Sequence, residues 1–212
     1  MGAEKEQAIN YFTCTDVGKV RGHNEDYICV DAEMGLFVVA DGMGGHASGE
    51  VASEIAATTI IDQVKQGNNL VRAIELANLA IIDGVKRGVG KKGMGTTVVA
   101  LQMRASSYTL AWVGDSRAYC WHDELTQISK DHSLVQMLLD SGKITEEEAR
   151  VHPRKNIIFQ NLGDHDADDL QVSLKRGVLY PGVKIMLCSD GLTDEIDDKQ
   201  ITEIISQAEN DE

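Results

Sequence analysis

Three times in this sequence an apolar, strand-like run stops at an aspartate beside a glycine. Leu36-Phe37-Val38-Val39-Ala40 precedes Asp41-Gly42, Leu110-Ala111-Trp112-Val113 precedes Gly114-Asp115, and the run 183–188 precedes Ser189-Asp190-Gly191. Short continuous apolar runs rich in β-branched and aromatic residues sit in sheets covered on both faces. A carboxylate at the end of such a strand is costly unless something cationic or hydrogen-bonding answers it. Glycine lets the backbone turn sharply and approach whatever sits beside the acid. One such acid fits a tight, solvated turn. Three on the strands of one mixed fold, with Glu25 and Asp26 in addition, are hard to bury without cations.

The order of predicted elements shows how the acids could meet. Residues 9–15 alternate as a half-buried strand, and Asp16-Val17-Gly18 turns the chain. A polar connection, Val20-Arg21-Gly22-His23-Asn24-Glu25-Asp26, leads to a strand at 27–30. The short turn at 31–34 makes this strand and 36–40 an antiparallel hairpin, which brings Glu25 and Asp26 close to Asp41. Helices follow at 46–66, with Val51, Ile55, Ala56, Thr59, Ile60 and Val64 on one face, and at 70–87, with Asn69 as its cap. The apolar stripe Leu70, Ile74, Ala77, Ile81 and Val85 reads as core. Closely spaced strands at 96–103, 108–113 and 117–121 predict an antiparallel meander, and a further strand lies at 125–128. Helical stretches at 132–139 and 146–152 form a polar insert, with Thr145 and Glu148 as a capping box. Strand pattern returns at 172–174 and 183–188, and a last helix spans 199–208.

A chain of 212 residues with 42% hydrophobic residues suits one packed domain. The net charge of −14 argues against nucleic acid or an anionic membrane as partner and suits a protein that gathers carboxylates around metal ions. An ordinary acidic surface explains most of that charge. Cys14, Cys29, Cys120 and Cys188 are scattered with no C-x-x-C pair, so we expect four buried thiols in a reducing cytosol. The start of the chain lacks the apolar core of a signal peptide, and Glu6 stands where a myristoylation site needs Ser or Thr. No apolar run approaches the length of a membrane span. The expected location is cytoplasmic.

The candidate ligands are all oxygens, with no clustered His or Cys, which points to hard divalent cations, Mg²⁺ or Mn²⁺. A carboxylate bridging two such ions lowers the pKa of a shared water, and phosphate ester hydrolysis is the natural reaction. Arg21, five positions before Asp26, offers a planar donor fork for a phosphate. A rival pattern overlaps the first acid: residues 42–47 satisfy the G-x-G-x-x-A dinucleotide fingerprint. A pyrophosphate there would lie beside Asp41 and be repelled, so the acid reads better as a cation ligand.

Arg21 with Asn24-Glu25-Asp26, Val39-Ala40-Asp41-Gly42-Met43-Gly44-Gly45, Gly95-Thr96-Thr97, Trp112-Val113-Gly114-Asp115-Ser116-Arg117, Asp131-His132-Ser133 and Ser189-Asp190-Gly191-Leu192 occur in an order and spacing of their own. As a set, spread over nearly the whole chain, they resemble the metal-dependent Ser/Thr protein phosphatases, the PPM or type 2C family, in its compact bacterial form. The resemblance implies an α+β fold, a four-layer αββα sandwich of two antiparallel sheets flanked by helices, with a metal cleft at one edge. It makes Asp41 the bridging ligand of two metals, with Asp190 on the first and the Gly42 carbonyl on the second. Glu25 and Asp26 would hold metal-bound waters, Asp115 with Asp190 a third, weaker metal, and Arg21 the phosphate. The insert at about 132–153 resembles the family's flap. Substrates would be phosphorylated proteins, made by a Ser/Thr kinase.

The chain departs from the family twice. Met43 stands where many eukaryotic members carry a His proposed as general acid, as it does in bacterial relatives. Leaving-group protonation would then fall to a metal-bound water or another residue. His46 is close by but reads better as a capping or surface residue. Family members also end with a strand carrying Gly-x-Asp-Asn, whose Asp completes the first metal site, whereas the sequence stops at Asn210-Asp211-Glu212. From this we expect low metal occupancy or low activity of the chain as written. The rival function is a pseudophosphatase, a phosphoprotein-binding or regulatory module. His122, His152 and His165 read as surface residues, Trp112 and Trp121 as packing, and Lys91-Lys92 and Asp166, Asp168 and Asp169 as solvated loops.

Overall fold

The computed structural model describes residues 9–44, 48–163 and 170–210. Gly45, His46 and Ala47 of the glycine-rich turn, and His165, Asp166, Asp168 and Asp169, lie outside the described residues. In chain order the elements are β1 (Asp26–Asp31), β2 (Leu36–Met43), α1 (Ser48–Lys65), α2 (Leu70–Lys86), β3 (Gly95–Thr96), β4 (Val98–Arg104), β5 (Ser107–Val113), β6 (Arg117–His122) and β7 (Glu124–Gln127). They continue with α3 (Leu134–Asp140), α4 (Glu146–Arg150), β8 (Ser173–Val178), β9 (Lys184–Cys188), α5 (Asp190–Thr193) and α6 (Asp198–Asn210).

Two antiparallel sheets form the body. The larger runs β1-β2-β4-β5-β8 with β3 beside β2, and the smaller runs β7-β6-β9. Strand alternation decides what each face buries. Leu36, Val38 and Ala40 of β2, with Val98 and Ala100 of β4 and Ala111 and Val113 of β5, face α1 and α2. The intervening Val39, Val99, Leu101, Leu110 and Trp112 face the other sheet and meet Ala118, Ile185 and Leu187. Both faces of the central strands are therefore dry, which is why their sequences read as continuous apolar runs. On the outer face of the small sheet, the fully buried Tyr119 donates its hydroxyl to Asp198 Oδ1 at 3.0 Å, tying β6 to the first turn of α6. Helices, sheet, sheet and helix make the expected four-layer α+β sandwich.

Local signals explain the helices. Asn69 caps α2 by accepting from Arg72 N–H, and Leu70, Ala73, Ile74, Ala77 and Ile81 form its buried stripe. The core face of α1 is instead lined by small residues: Ala52, Ser53, Ala56 and Ala57 are buried with Ile60, Ile61 and Val64, and Val51 and Ile55 lie at its margin. Thr145 and Glu148 form a reciprocal capping box on α4. The insert carrying α3 and α4 closes at its base, where Leu134 N–H donates to Ile157 O and Phe159 N–H to His132 O, a few residues beyond the expected limit at 153.

Four expectations need correction. Residues 9–15 form no strand; all but Ile9 are exposed, and the alternation is used locally, with Tyr11 set edge-on to Phe37 at 5.6 Å. The predicted meander divides: β4 and β5 pair in the large sheet, but β6 pairs with β7 and β9 in the small one. The crossing is made at Gly114, whose φ of +102° redirects the chain and which few other residues could adopt. The predicted strand 96–103 is interrupted at Thr97, leaving β3 and β4. Of the four thiols only Cys188 is fully buried, while Cys29 and Cys120 are half-buried and Cys14 is exposed.

Candidate active site

The β1–β2 hairpin sets Asp26 directly opposite Asp41. The antiparallel register of β6 and β9 pairs Arg117 with Cys188, so Asp115, two residues before the first, and Asp190, two after the second, emerge at one end of the small sheet. The two sheets meet at this edge. Asp41 and Asp190 share a hydrogen bond, and Asp26 and Asp115 are near enough for their charges to act on Asp41.

Each acid is held differently. The Asp41 backbone is clamped by two threonines: Thr96 Oγ1 and Thr97 N–H both donate to Asp41 O at 2.8 Å, and Asp41 N–H donates to Thr97 Oγ1 at 3.3 Å. Thr97 Oγ1 also lies 2.6 Å from Ser116 Oγ, beside Asp115. Gly42 sits in β2 opposite Thr96, and a Cβ there would strike the backbone of Gly49 in α1 and the Glu25 carbonyl. The Glu25 carbonyl accepts from Gly42 N–H at 3.1 Å and from Ser53 Oγ at 2.6 Å, and the Glu25 carboxylate lies against Gly49, in the first turn of α1. A carboxylate is favoured beside the positive end of a helix. Ser189 Oγ donates to Asp26 Oδ2 at 2.6 Å.

The loop bearing Asp115 is fixed from the other side. Gly114 N–H donates to His132 Nδ1 at 3.1 Å, His132 N–H donates to Gly114 O at 2.9 Å, and His132 Nε2 lies 2.9 Å from Ser173 Oγ. An imidazole accepting at Nδ1 is neutral and carries its proton on Nε2. Burial agrees, pushing the His132 pKa below its ordinary value. Next to it, the buried Asp131 takes Arg117 Nη2 at 2.7 Å and Nε at 2.9 Å, and Gln127 Nε2 at 2.9 Å. Burial opposes the Arg117 charge, but the Asp131 carboxylate more than restores it.

The electrostatics describe an unanswered negative site. Burial pushes the Asp41 carboxyl far up, and Asp190, Asp26 and Asp115 push it further. Asp190 is also raised, by burial and then by Asp194, against the opposing effects of the Asp41 hydrogen bond and the Arg21 charge. Burial, then Asp190 and Asp131, lift Asp115 to about 6. Among the described residues no three His, Cys, Asp or Glu side chains are already closed around a point that would hold an ion. The contacts are pairwise, as expected of carboxylates that repel one another and share a proton. A divalent cation resolves the conflict by letting every acid ionise, and an all-oxygen set suits Mg²⁺ or Mn²⁺. The donor set therefore fits the metals the sequence suggests.

Of the sequence-predicted residues, Asp26, Asp41, Asp115 and Asp190 are brought together, and Glu25 and Gly42 adjoin them. Arg21 is exposed on the loop before β1, with its charge felt at Asp190. Met43 is the last residue of β2, so the strand runs two residues past Asp41 rather than ending there. The dinucleotide reading loses its setting, because the sheet around Gly42 is antiparallel and Gly42 lies inside a strand. Thr96, Thr97, Ser116, His132 and Ser189 were not assigned positions around the acids from sequence. All five stand in the quoted motifs, but their contacts join elements far apart in the chain and leave no trace in spacing.

The protein phosphatase 2C family model matches residues 20–209. The chain is 40% identical over 204 residues to the serine/threonine protein phosphatase PstP of Mycobacterium tuberculosis, covering 93% of this chain but only 39% of that protein. It is 38% identical over 205 residues to the serine/threonine phosphatase stp of Listeria innocua, covering 90% of this chain and 81% of the relative. A crystal structure of the PstP catalytic domain in complex with two manganese ions superposes with a TM-score of 0.76 at 36% identity, covering 88% of this chain and 79% of that one. With this fold and four acids gathered where its two sheets meet, the chain belongs to the protein phosphatase 2C family.

Proposed function

We propose that the chain hydrolyses phosphoserine and phosphothreonine esters of proteins with two Mn²⁺ or Mg²⁺ ions, a third being weakly held. The observation that carries the reading is the meeting of Asp41 and Asp190, from different sheets, in one hydrogen-bonded pair flanked by Asp26 and Asp115. The manganese complex of the PstP catalytic domain supports the choice of metal. Asp41 would bridge the ions, Asp190 and the Gly42 carbonyl would take one each, and Glu25 and Asp26 would hold their waters. Asp115 and Asp190 would hold the third. Such ions supply a water acidic enough to be a nucleophile at neutral pH.

The chain's own residues supply placement. Thr96 and Thr97 fix the Asp41 backbone, so the carboxylate is presented from a rigid strand. Arg21, exposed on the loop before β1 with its charge felt at Asp190, would receive the phosphate with its planar fork. Met43 offers no titratable group that could protonate a leaving group. The opposing enzyme would be a Ser/Thr kinase and the location the cytoplasm; among the described residues no helix is long and apolar enough to cross a membrane.

The test is phosphate release from a phosphothreonine peptide with Mn²⁺, Mg²⁺ or a chelator present. Release that requires metal and disappears in Asp41→Asn is expected. Release that survives the chelator, or phosphopeptide binding with no release at any metal concentration, would overturn the reading.

A further inference from the structure

Ser189 stands at the N-cap of α5 with extended backbone, φ −79° and ψ 176°. A serine here ordinarily turns its hydroxyl to accept a backbone N–H of the first helical turn. Ser189 makes no such cap bond. Its hydroxyl instead donates to Asp26 Oδ2 at 2.6 Å, joining residues 163 apart in sequence. The bond also ties the end of β9 in the small sheet to the start of β1 in the large one, directly ahead of Asp190. Two acids from two sheets can share an ion only if that spacing is kept.

We propose that Ser189 is a positioning residue of the metal site: its hydroxyl orients Asp26 and holds Asp190 at the distance from β1 that a shared cation needs. The hydroxyl gives up the helix cap to do so. The inference rests on the metal-dependent phosphatase reading. It predicts that losing the hydroxyl weakens metal binding even where the ligands themselves are intact, as happens when a group that orients a ligand is removed.

Calorimetric titration of the whole chain with MnCl₂, without substrate, tests it. Ser189→Ala should weaken Mn²⁺ binding about tenfold or more. Ser189→Thr, which keeps the hydroxyl, should restore it to within about threefold, and Ser189→Ala should add little in an Asp26→Asn background, since the two residues act as one unit. Thermal unfolding in chelator shows whether each variant is folded; should Ser189→Ala not fold, Ser189→Cys, a poorer donor of similar size, carries the same expectation. Unchanged binding in Ser189→Ala, or no rescue by threonine, overturns the inference alone. An unaltered chain that binds no Mn²⁺ overturns the metal reading and this inference with it.

Discussion

Asp41-Gly42 and Asp190-Gly191 are the same dipeptide after the same kind of apolar strand, yet the fold uses them in opposite ways. Asp41 lies inside β2, with its carbonyl and amide held by Thr96 and Thr97. Asp190 opens α5, a helix of four residues that follows a strand of the small sheet. Gly42 is a point of close backbone approach to Gly49 and Glu25, whereas a Cβ on Gly191 would meet only Ser189 Oγ, at 3.6 Å. The first acid is held through its own backbone inside a strand, while the second stands at the head of a short helix and is spaced from β1 by the neighbouring Ser189 hydroxyl.

Lengthening each acid by one methylene tests that contrast at its strongest. Asp41→Glu has no room to retreat, and we expect phosphopeptide hydrolysis to fall by more than about a hundredfold, beyond the usual effect of disturbing a group that only orients a ligand. Asp190→Glu should lose less, roughly ten- to a hundredfold, because the glycine that follows Asp190 has open space around it where Gly42 has none. Equal losses would break the comparison.

The glycines give the next largest effect, on stability. Gly42→Ala should cost about 3 kcal/mol or more in chemical denaturation, since backbone atoms of α1 and of Glu25 must move. Gly191→Ala should be neutral or add up to about 1 kcal/mol, because an alanine lowers the entropy lost in forming a helical turn. A Gly191→Ala variant as unstable as Gly42→Ala would contradict the view of α5 as an open end.

Thr97→Val isolates the clamp itself. It keeps shape but removes the hydroxyl that receives Asp41 N–H and meets Ser116. Leaving a buried donor unpaired costs about 1–3 kcal/mol, and we expect hydrolysis to drop with it. A variant of full stability and activity would show that the strand pairing alone fixes Asp41.

The smallest effect concerns the third acid, whose loop His132 holds. Burial depresses the His132 pKa, so the folded state prefers the neutral ring. Below the unfolded value of about 6.5 the unfolded chain binds the extra proton, and the His132 contribution to stability falls as the pH drops. Urea midpoints at about pH 7 and about pH 5.5 should differ less in His132→Gln than in the unaltered chain. An unchanged difference would remove His132 from the account.

Much of this arrangement was legible in the sequence, and the reasons are specific. The hairpin that faces Asp26 with Asp41 follows from a turn too short for any other connection, and the α2 cap and stripe follow from Asn69 and a 3.6-residue period. Double burial of β2 was visible as its unbroken apolar run. The crossing at Gly114 was not, because spacing between strands reports their proximity in sequence and not which sheet each joins. Residues 9–15 showed strand alternation, but alternation states only which side chains could share a face and supplies no partner strand. The hydroxyl contacts of Thr97 and Ser189 are invisible for the same reason: each spans elements far apart in the chain.

The central claim is that carboxylates from the two sheets hold the ions that support phosphate ester hydrolysis. An anomalous difference map from crystals grown with Mn²⁺ tests it most directly. The account predicts peaks within bonding distance of the Asp41 and Asp190 carboxylates, absent in crystals of Asp41→Asn. Peaks at neither carboxylate, or an undiminished peak shared by residues 41 and 190 in Asp41→Asn, would contradict it.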